Sequence, residues 1–298
     1  MTAAAATPTS GRHTSVDAAP RRRPINMGRM WTVASTDLKQ LIQARDYWVP
    51  MVALGAIFFL VVPTILLFTI THLGSVEIVS KISKTLEILP PEAQAKIRGT
   101  TPSGRTAYAL AVFLFAPVAV VVPLTISTAV GAATLVGERE RGTGEFLAHS
   151  PATTREIYIG KLIASLVPGY VTTVVGFGVY SLVVNLIAAG DVGGWFFPTG
   201  PWLILMFWVI PPFLAFTLSL VLRLSARVKS TAAAQQASGL VSLPLIMLAY
   251  SQSTGALFGT TISPWLVGAL AWVIAIWSLS RGVRSVTRAR LLGVANEV

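Results

Sequence analysis

The sequence predicts an all-α membrane protein with six transmembrane helices and both termini in the cytoplasm. Three observations lead there. Of 298 residues, 53% are hydrophobic and only 12% are charged, with a mean hydropathy of +0.69. A water-soluble domain carries about 25% charged residues, because its surface must face water. Six apolar runs of bilayer-crossing length contain no Asp, Glu, Lys, Arg or His. Finally, Lys and Arg outnumber Asp and Glu by 23 to 12, and the excess collects in alternate connections between those runs.

The six runs lie at about 48–70, 108–136, 162–189, 201–222, 231–250 and 264–280. A helix rising 1.5 Å per residue needs about 20 residues to cross the hydrocarbon core. The fifth run is the most polar, and its Gln235 and Gln236 should face protein or a wet cavity rather than lipid. Orientation follows from the connections. With both ends inside, segments 1–47, 137–161, 223–230 and 281–298 hold 18 basic residues, and the outer connections hold five, all in 71–106. The reverse orientation would violate the positive-inside rule. The net charge of +11 is therefore a topology signal, and no nucleic-acid partner is expected.

Residues 1–25 form an Ala/Thr/Pro/Ser-rich cytoplasmic tail, predicted to be disordered. No apolar segment follows Arg21, Arg22 and Arg23 directly, so this is not a signal peptide. Residues 26–46 read as one amphipathic helix lying in the membrane interface. Met27, Met30, Trp31, Leu38, Leu41 and Ile42 recur at helical spacing against Arg29, Asp37, Lys39 and Arg45. Trp31 is expected at head-group level, and Tyr47 and Trp48 mark the water boundary. Residues 47–282 form the six-helix transmembrane domain. Its outer loop, 71–106, contains a second amphipathic stretch at 75–89, with Val79, Ile82 and Leu86 on one stripe. Residues 283–298 are a basic cytoplasmic tail. Prolines at 63, 117, 123, 168, 211, 212 and 244 are expected to kink their helices.

Several chemistries are excluded. The chain has no Cys, and His13, His72 and His149 are not at metal-ligand spacing. Without an ionisable group in any span, ion-coupled transport lacks its usual relay. A phosphate-binding G-x-x-x-x-G-K-[ST] loop is missing: Gly160-Lys161 is followed by Leu162, and Arg155 stands at the first glycine position. The chain is thus no ATPase by itself, and energy for uphill movement must come from another subunit.

One segment escapes the topology arithmetic. Between the second and third spans, Glu138, Glu140, Glu145 and Glu156 interleave with Arg139, Arg141, Arg155 and Lys161. Ser150-Pro151 starts a turn, and Thr154-Arg155-Glu156 suits a new helix start. The order Glu138-Arg139-Glu140-Arg141-Gly142-Thr143-Gly144-Glu145-Phe146-Leu147, then Ser150-Pro151, Glu156-Ile157 and Gly160-Lys161, resembles the signature region of ABC-2-type transporter permeases. Gly144 stands where that family more often has an apolar residue. Asp37-Leu-Lys-Gln-Leu-Ile-Gln-Ala-Arg45-Asp46 is similar to the helix before the family's first span. The resemblance covers about residues 26–282.

That resemblance implies the transmembrane subunit of an ATP-binding-cassette exporter in the cell membrane, as in the inner membrane of a bacterium. It implies pairing with a second permease chain, identical or related, and with separate ATPase subunits that hold ATP and Mg. This chain itself would carry no cofactor. Glu138, Arg139, Glu140, Arg141, Gly142, Thr143 and Glu145 would form the coupling helix seated on the ATPase. Trp31, Leu38, Leu41 and Arg45 would belong to the interfacial helix against membrane lipid. A non-transport scaffold or sensor, and an ion-coupled transporter, are the alternative readings. The substrate is not legible: the Phe, Trp and Leu of the spans suit an apolar cargo and lipid alike.

Overall fold

The computed structural model describes residues 24–72, 79–81, 84, 91–140, 150–225, 236, 243, 246, 247, 250 and 264–285. Among these, all regular structure is helical. Helix α1 is Met27–Gln43. Helix α2 joins Arg45–Ala56, Ile57–Val61 and Val62–His72. A short α3 covers Pro91–Gln94. Helix α4 joins Pro102–Ala109, Leu110–Leu114 and Ala116–Glu140. The longest, α5, runs Thr154–Val192. Helix α6 joins Gly200–Ile204, Leu205–Val209 and Ile210–Ser225, and α7 is Pro264–Ser285.

Five of these helices are long and apolar enough to cross a membrane: Trp48–His72, Pro102–Ala133, Thr154–Val192, Gly200–Leu224 and Pro264–Val283. Side chains such as Ile65, Phe68, Leu182, Leu266, Leu270 and Ile276 stand exposed on them. Apolar area on that scale fits hydrocarbon rather than water. The expected span at 231–250 and the amphipathic stretch at 75–89 fall almost wholly outside the described residues. The helix expected over 26–46 is divided. Ala44 is extended (φ −89°, ψ 95°), so α1 stops at Gln43 and Arg45 opens α2. Helices α4 and α5 also start before their apolar runs, because Thr101 and Thr153 cap them and a helix continues inward from its cap.

Helix α5 is the axis of the fold, packing against α1, α2, α4 and α6. Its 39 residues span about 58 Å, well beyond the ~30 Å hydrocarbon core. Its ends therefore reach into the polar layers. Packing on α4 is closest at Gly169, where an added Cβ would collide with Ser127 Oγ and stand 2.7 Å from the Pro123 carbonyl oxygen. Gly169→Leu is expected to destabilise by about 1–3 kcal/mol, as overpacking does. A lowered thermal midpoint in detergent checks this; an unchanged midpoint refutes it.

Proline acts differently from the simple kinks that the sequence predicts. Three five-residue π-helical turns, Ile57–Val61, Leu110–Leu114 and Leu205–Val209, sit just ahead of Pro63, Pro117 and Pro211. A proline ring clashes with the carbonyl one turn back and leaves it without an N–H. The wider π turn moves that carbonyl aside. Pro123 and Pro168 are instead carried inside continuous helix. In α4 the π turn leaves carbonyls for side chains: Tyr180 Oη donates to Ala111 O at 2.8 Å, and Trp202 Nε1 to Val112 O at 2.8 Å. Around them Phe115, Phe177, Phe197, Tyr180 and Trp202 form one aromatic cluster. Asn185 closes it, accepting from Phe196 N and Phe197 N and donating to Phe197 O at 2.6 Å. Among the described residues this end of the bundle, near Arg98, Arg105 and Asp191, carries the fewer basic side chains.

Candidate functional site at the basic end of the bundle

The other end holds Arg29, Lys161, Arg223 and Arg281. Two polar clusters lie there, both anchored in the first two turns of α5. One faces α1 and the other faces α6 and α7.

The first is centred on Glu156. Thr153 and Glu156 form a capping box: Thr153 Oγ1 accepts from Glu156 N, and Glu156 Oε2 accepts from Thr153 N at 2.7 Å. This satisfies two backbone donors that a helix start otherwise leaves orphaned. The other carboxylate oxygen, Oε1, accepts from Asn26 N at 2.7 Å and lies 3.6 Å from Arg29 Nη2. Asn26 is itself the N-cap of α1, its Oδ1 accepting from Gly28 N and Arg29 N. One buried carboxylate thus ties together the starts of two helices 130 residues apart in sequence. Arg29 adds a bond from Nη1 to Pro151 O at 3.0 Å.

One turn further, Lys161 Nζ meets Asp37 Oδ2 at 3.2 Å, with the two side chains 0% and 8% exposed. Close approach permits this. A Cβ at Gly160 would stand 2.9 Å from Met30 O and from Val33 Cβ, so α1 lies directly on the α5 backbone. Met30 and Ala34 are buried in that contact. Burying two charges is tolerable only when they are paired and hydrogen-bonded, and here α1 and α5 each supply one.

The second cluster is built from hydroxyls. Tyr158 Oη lies 2.9 Å from Ser219 Oγ and donates to Ser219 O at 3.3 Å. Ser278 Oγ donates to Ser219 Oγ at 3.1 Å. Arg223 donates from Nη2 to Ser278 Oγ at 2.9 Å and from Nε to Ser219 O at 3.2 Å. Tyr158, Ser219 and Ser278 are buried.

The residues singled out in the sequence fall around these clusters rather than in them. Helix α4 runs through Glu138, Arg139 and Glu140, while Arg141, Gly142, Thr143 and Glu145 lie outside the described residues. Trp31 is 59% exposed, with Met27 and Ile42 exposed beside it. Leu38 and Leu41 are half-buried, Leu41 against the main core. Arg45 is exposed at the start of α2. The apolar set read as one face of the first helix is therefore two: Met30 and Leu41 turn inward, joined by Ala34, and Met27, Trp31 and Ile42 turn outward. Asp37, Glu156 and Lys161 are charged members of the two expected helices with no sequence rule that pairs them. Their one local signal is charge near a small residue, Gly160, at the edge of an uncharged run. Tyr158, Ser219, Arg223 and Ser278 carry no local signal.

A cleft of about 230 Å³ opens between α1 and the turn into α5, lined by Arg29, Thr32, Asp37, Gln40 and Pro151 among others. Ser150 also lines it, within the charge-dense segment. Among the described residues no group of three or more His, Cys, Asp or Glu is placed to hold a metal ion. The arrangement is suited to holding helices together and passing force between them. A family model described as ABC-2 family transporter protein matches residues 31–263. No curated protein matches the chain.

Proposed function

From the chain's membership of the ABC-2 transporter family, which makes it a multi-pass membrane permease of an ABC transporter, we propose that it is the permease subunit of an exporter in the bacterial inner membrane. It moves its substrate with ATP hydrolysed by separate subunits. Both termini face the cytoplasm, and a second permease chain completes the pathway. The segment around Glu138–Glu145 docks on the ATPase and passes its motion to the spans. The chain itself binds no nucleotide; ATP and Mg belong to the partner.

The observation that carries this reading is the pairing of α1 with the start of α5. Glu156–Arg29 and Lys161–Asp37 join the two helices through the last charges of the charge-dense segment. Motion delivered at residues 138–149 enters α5 where α1 is already bound to it. Paired buried charges resist separation, since parting them leaves each uncompensated. Such a joint suits transmission from a cytoplasmic partner better than it suits a passive connector.

Glu140→Lys combined with Glu145→Lys is expected to uncouple ATP hydrolysis from transport in reconstituted vesicles, through charge reversal on the docking surface. The chain should remain helical and monodisperse. Undiminished coupling would refute the assignment.

A further inference from the structure

The hydroxyl cluster at Tyr158 does work that the first cluster does not. Glu156 and Lys161 bind α5 to α1, whereas Tyr158, from the same two turns, binds α5 to α6 and α7. Arg223 donates to Ser278, Ser278 to Ser219, and Tyr158 is bonded to Ser219 in turn. Each of these four side chains has a partner on a neighbouring helix. A hydrogen-bonded network whose Tyr158, Ser219 and Ser278 are buried rigidifies what it joins. Packing adds to it: a Cβ at Gly282 would collide with Tyr158 Oη, so the end of the Tyr158 ring lies directly against the α7 backbone.

We infer that Tyr158, Ser219, Arg223 and Ser278 form a rigid joint that carries the motion of the α5 start into α6 and α7, with Arg223 as its positioning residue. The inference rests on the permease reading above. Without the joint, displacement of the α5 start would be absorbed locally, because the apolar packing among the described residues Ile157, Leu218 and Leu222 is non-directional. With it, three spans shift as one body. Arg223 holds its place by two bonds. It caps the Ser219 carbonyl on its own helix and orients the Ser278 hydroxyl on α7, so that the Ser278 proton points at Ser219.

The absence of cysteine from the chain makes the test direct. Spin labels at Arg155→Cys and Ser280→Cys report the distance between the start of α5 and the inner end of α7. They are measured in the vesicle-reconstituted complex with its ATPase, diluted with unlabelled chain, without nucleotide and with ATP-Mg trapped. A rigid joint gives one distance distribution that nucleotide does not shift. Adding Tyr158→Phe with Ser278→Ala should let nucleotide shift or split it. A nucleotide-dependent shift in the otherwise intact chain, or an unshifted distribution in the variant, overturns the joint. In a second measurement, Ser219→Cys with Ser278→Cys is oxidised to a disulfide. The oxidised complex should retain the ATP hydrolysis of the reduced one. Hydrolysis that stops on oxidation and returns on reduction would mean that the helices part here, which also overturns the joint. A chain that binds no ATPase sinks the permease reading and the joint together. A complex that binds and hydrolyses ATP while its labels shift sinks the joint alone.

Discussion

Lys161→Met should destabilise the chain by about 3–5 kcal/mol, the usual consequence of removing one partner of a buried ion pair. Lys161 is fully buried and its partner Asp37 nearly so. Methionine keeps most of the side-chain volume, so the neighbouring contact of Gly160 with Val33 changes little. What is lost is the counter-charge, and the Asp37 carboxylate is left in an environment that solvates it poorly. Adding Asp37→Asn should recover much of the loss, because the orphaned charge is then gone. Thermal unfolding in detergent measures both. A single variant that melts like the parent, or a double variant no better than the single, refutes the account. On the proposed permease reading the functional counterpart is release of α1 from α5, and the single variant should then lose coupling to a partner ATPase before it unfolds.

The second large effect is expected at Glu156. Glu156→Ala removes the acceptor for Thr153 N and Asn26 N and the countercharge for Arg29. Each backbone donor left unpaired costs about 1–3 kcal/mol when buried. Both bonds are only half-buried, so water recovers part of the loss, and a total of about 2–4 kcal/mol is expected on that scale. Glu156→Gln should fall between, since its amide presents one acceptor oxygen to two donors on different helices. The prediction is also spatial. Amide hydrogen exchange should rise at the starts of both α1 and α5, although these are distant in sequence. Exchange that rises only at the start of α5 would mean that Glu156 serves its own helix and does not hold α1.

Much of the architecture is legible without coordinates because it follows from one solvent. A bilayer admits no charge into its core and requires every backbone group to be paired internally. Uncharged runs thus announce helices, and the described ones fall where the runs are. The start of α5 is nearly as plain, since Ser150-Pro151 and Thr154-Arg155-Glu156 are local signals, and the structure moves the cap back one residue, to Thr153. The break at Ala44 was not. Apolar spacing continues through it, and only the backbone turn between α1 and α2 interrupts the helix. Similarly, the prolines announced a disturbance but not its form. Whether a π turn or continuous helix absorbs the ring depends on which neighbours donate to the freed carbonyls, as Tyr180 and Trp202 do in α4.

The sequence by itself determined the membrane class, the apolar helices, the family resemblance and the place of the charge-dense segment. Each is written in contiguous residues, by composition or by spacing along one helix. Only the tertiary structure decided which charges are used. Asp37 and Lys161 lie 124 residues apart, Asn26 and Glu156 lie 130, and Tyr158 and Ser219 lie 61. None of these pairs has a spacing rule, because each exists only once α5 has been laid against α1 on one side and against α6 and α7 on another. The reason is that burial raises the value of a polar contact, and burial is a property of the packed bundle rather than of any segment in it.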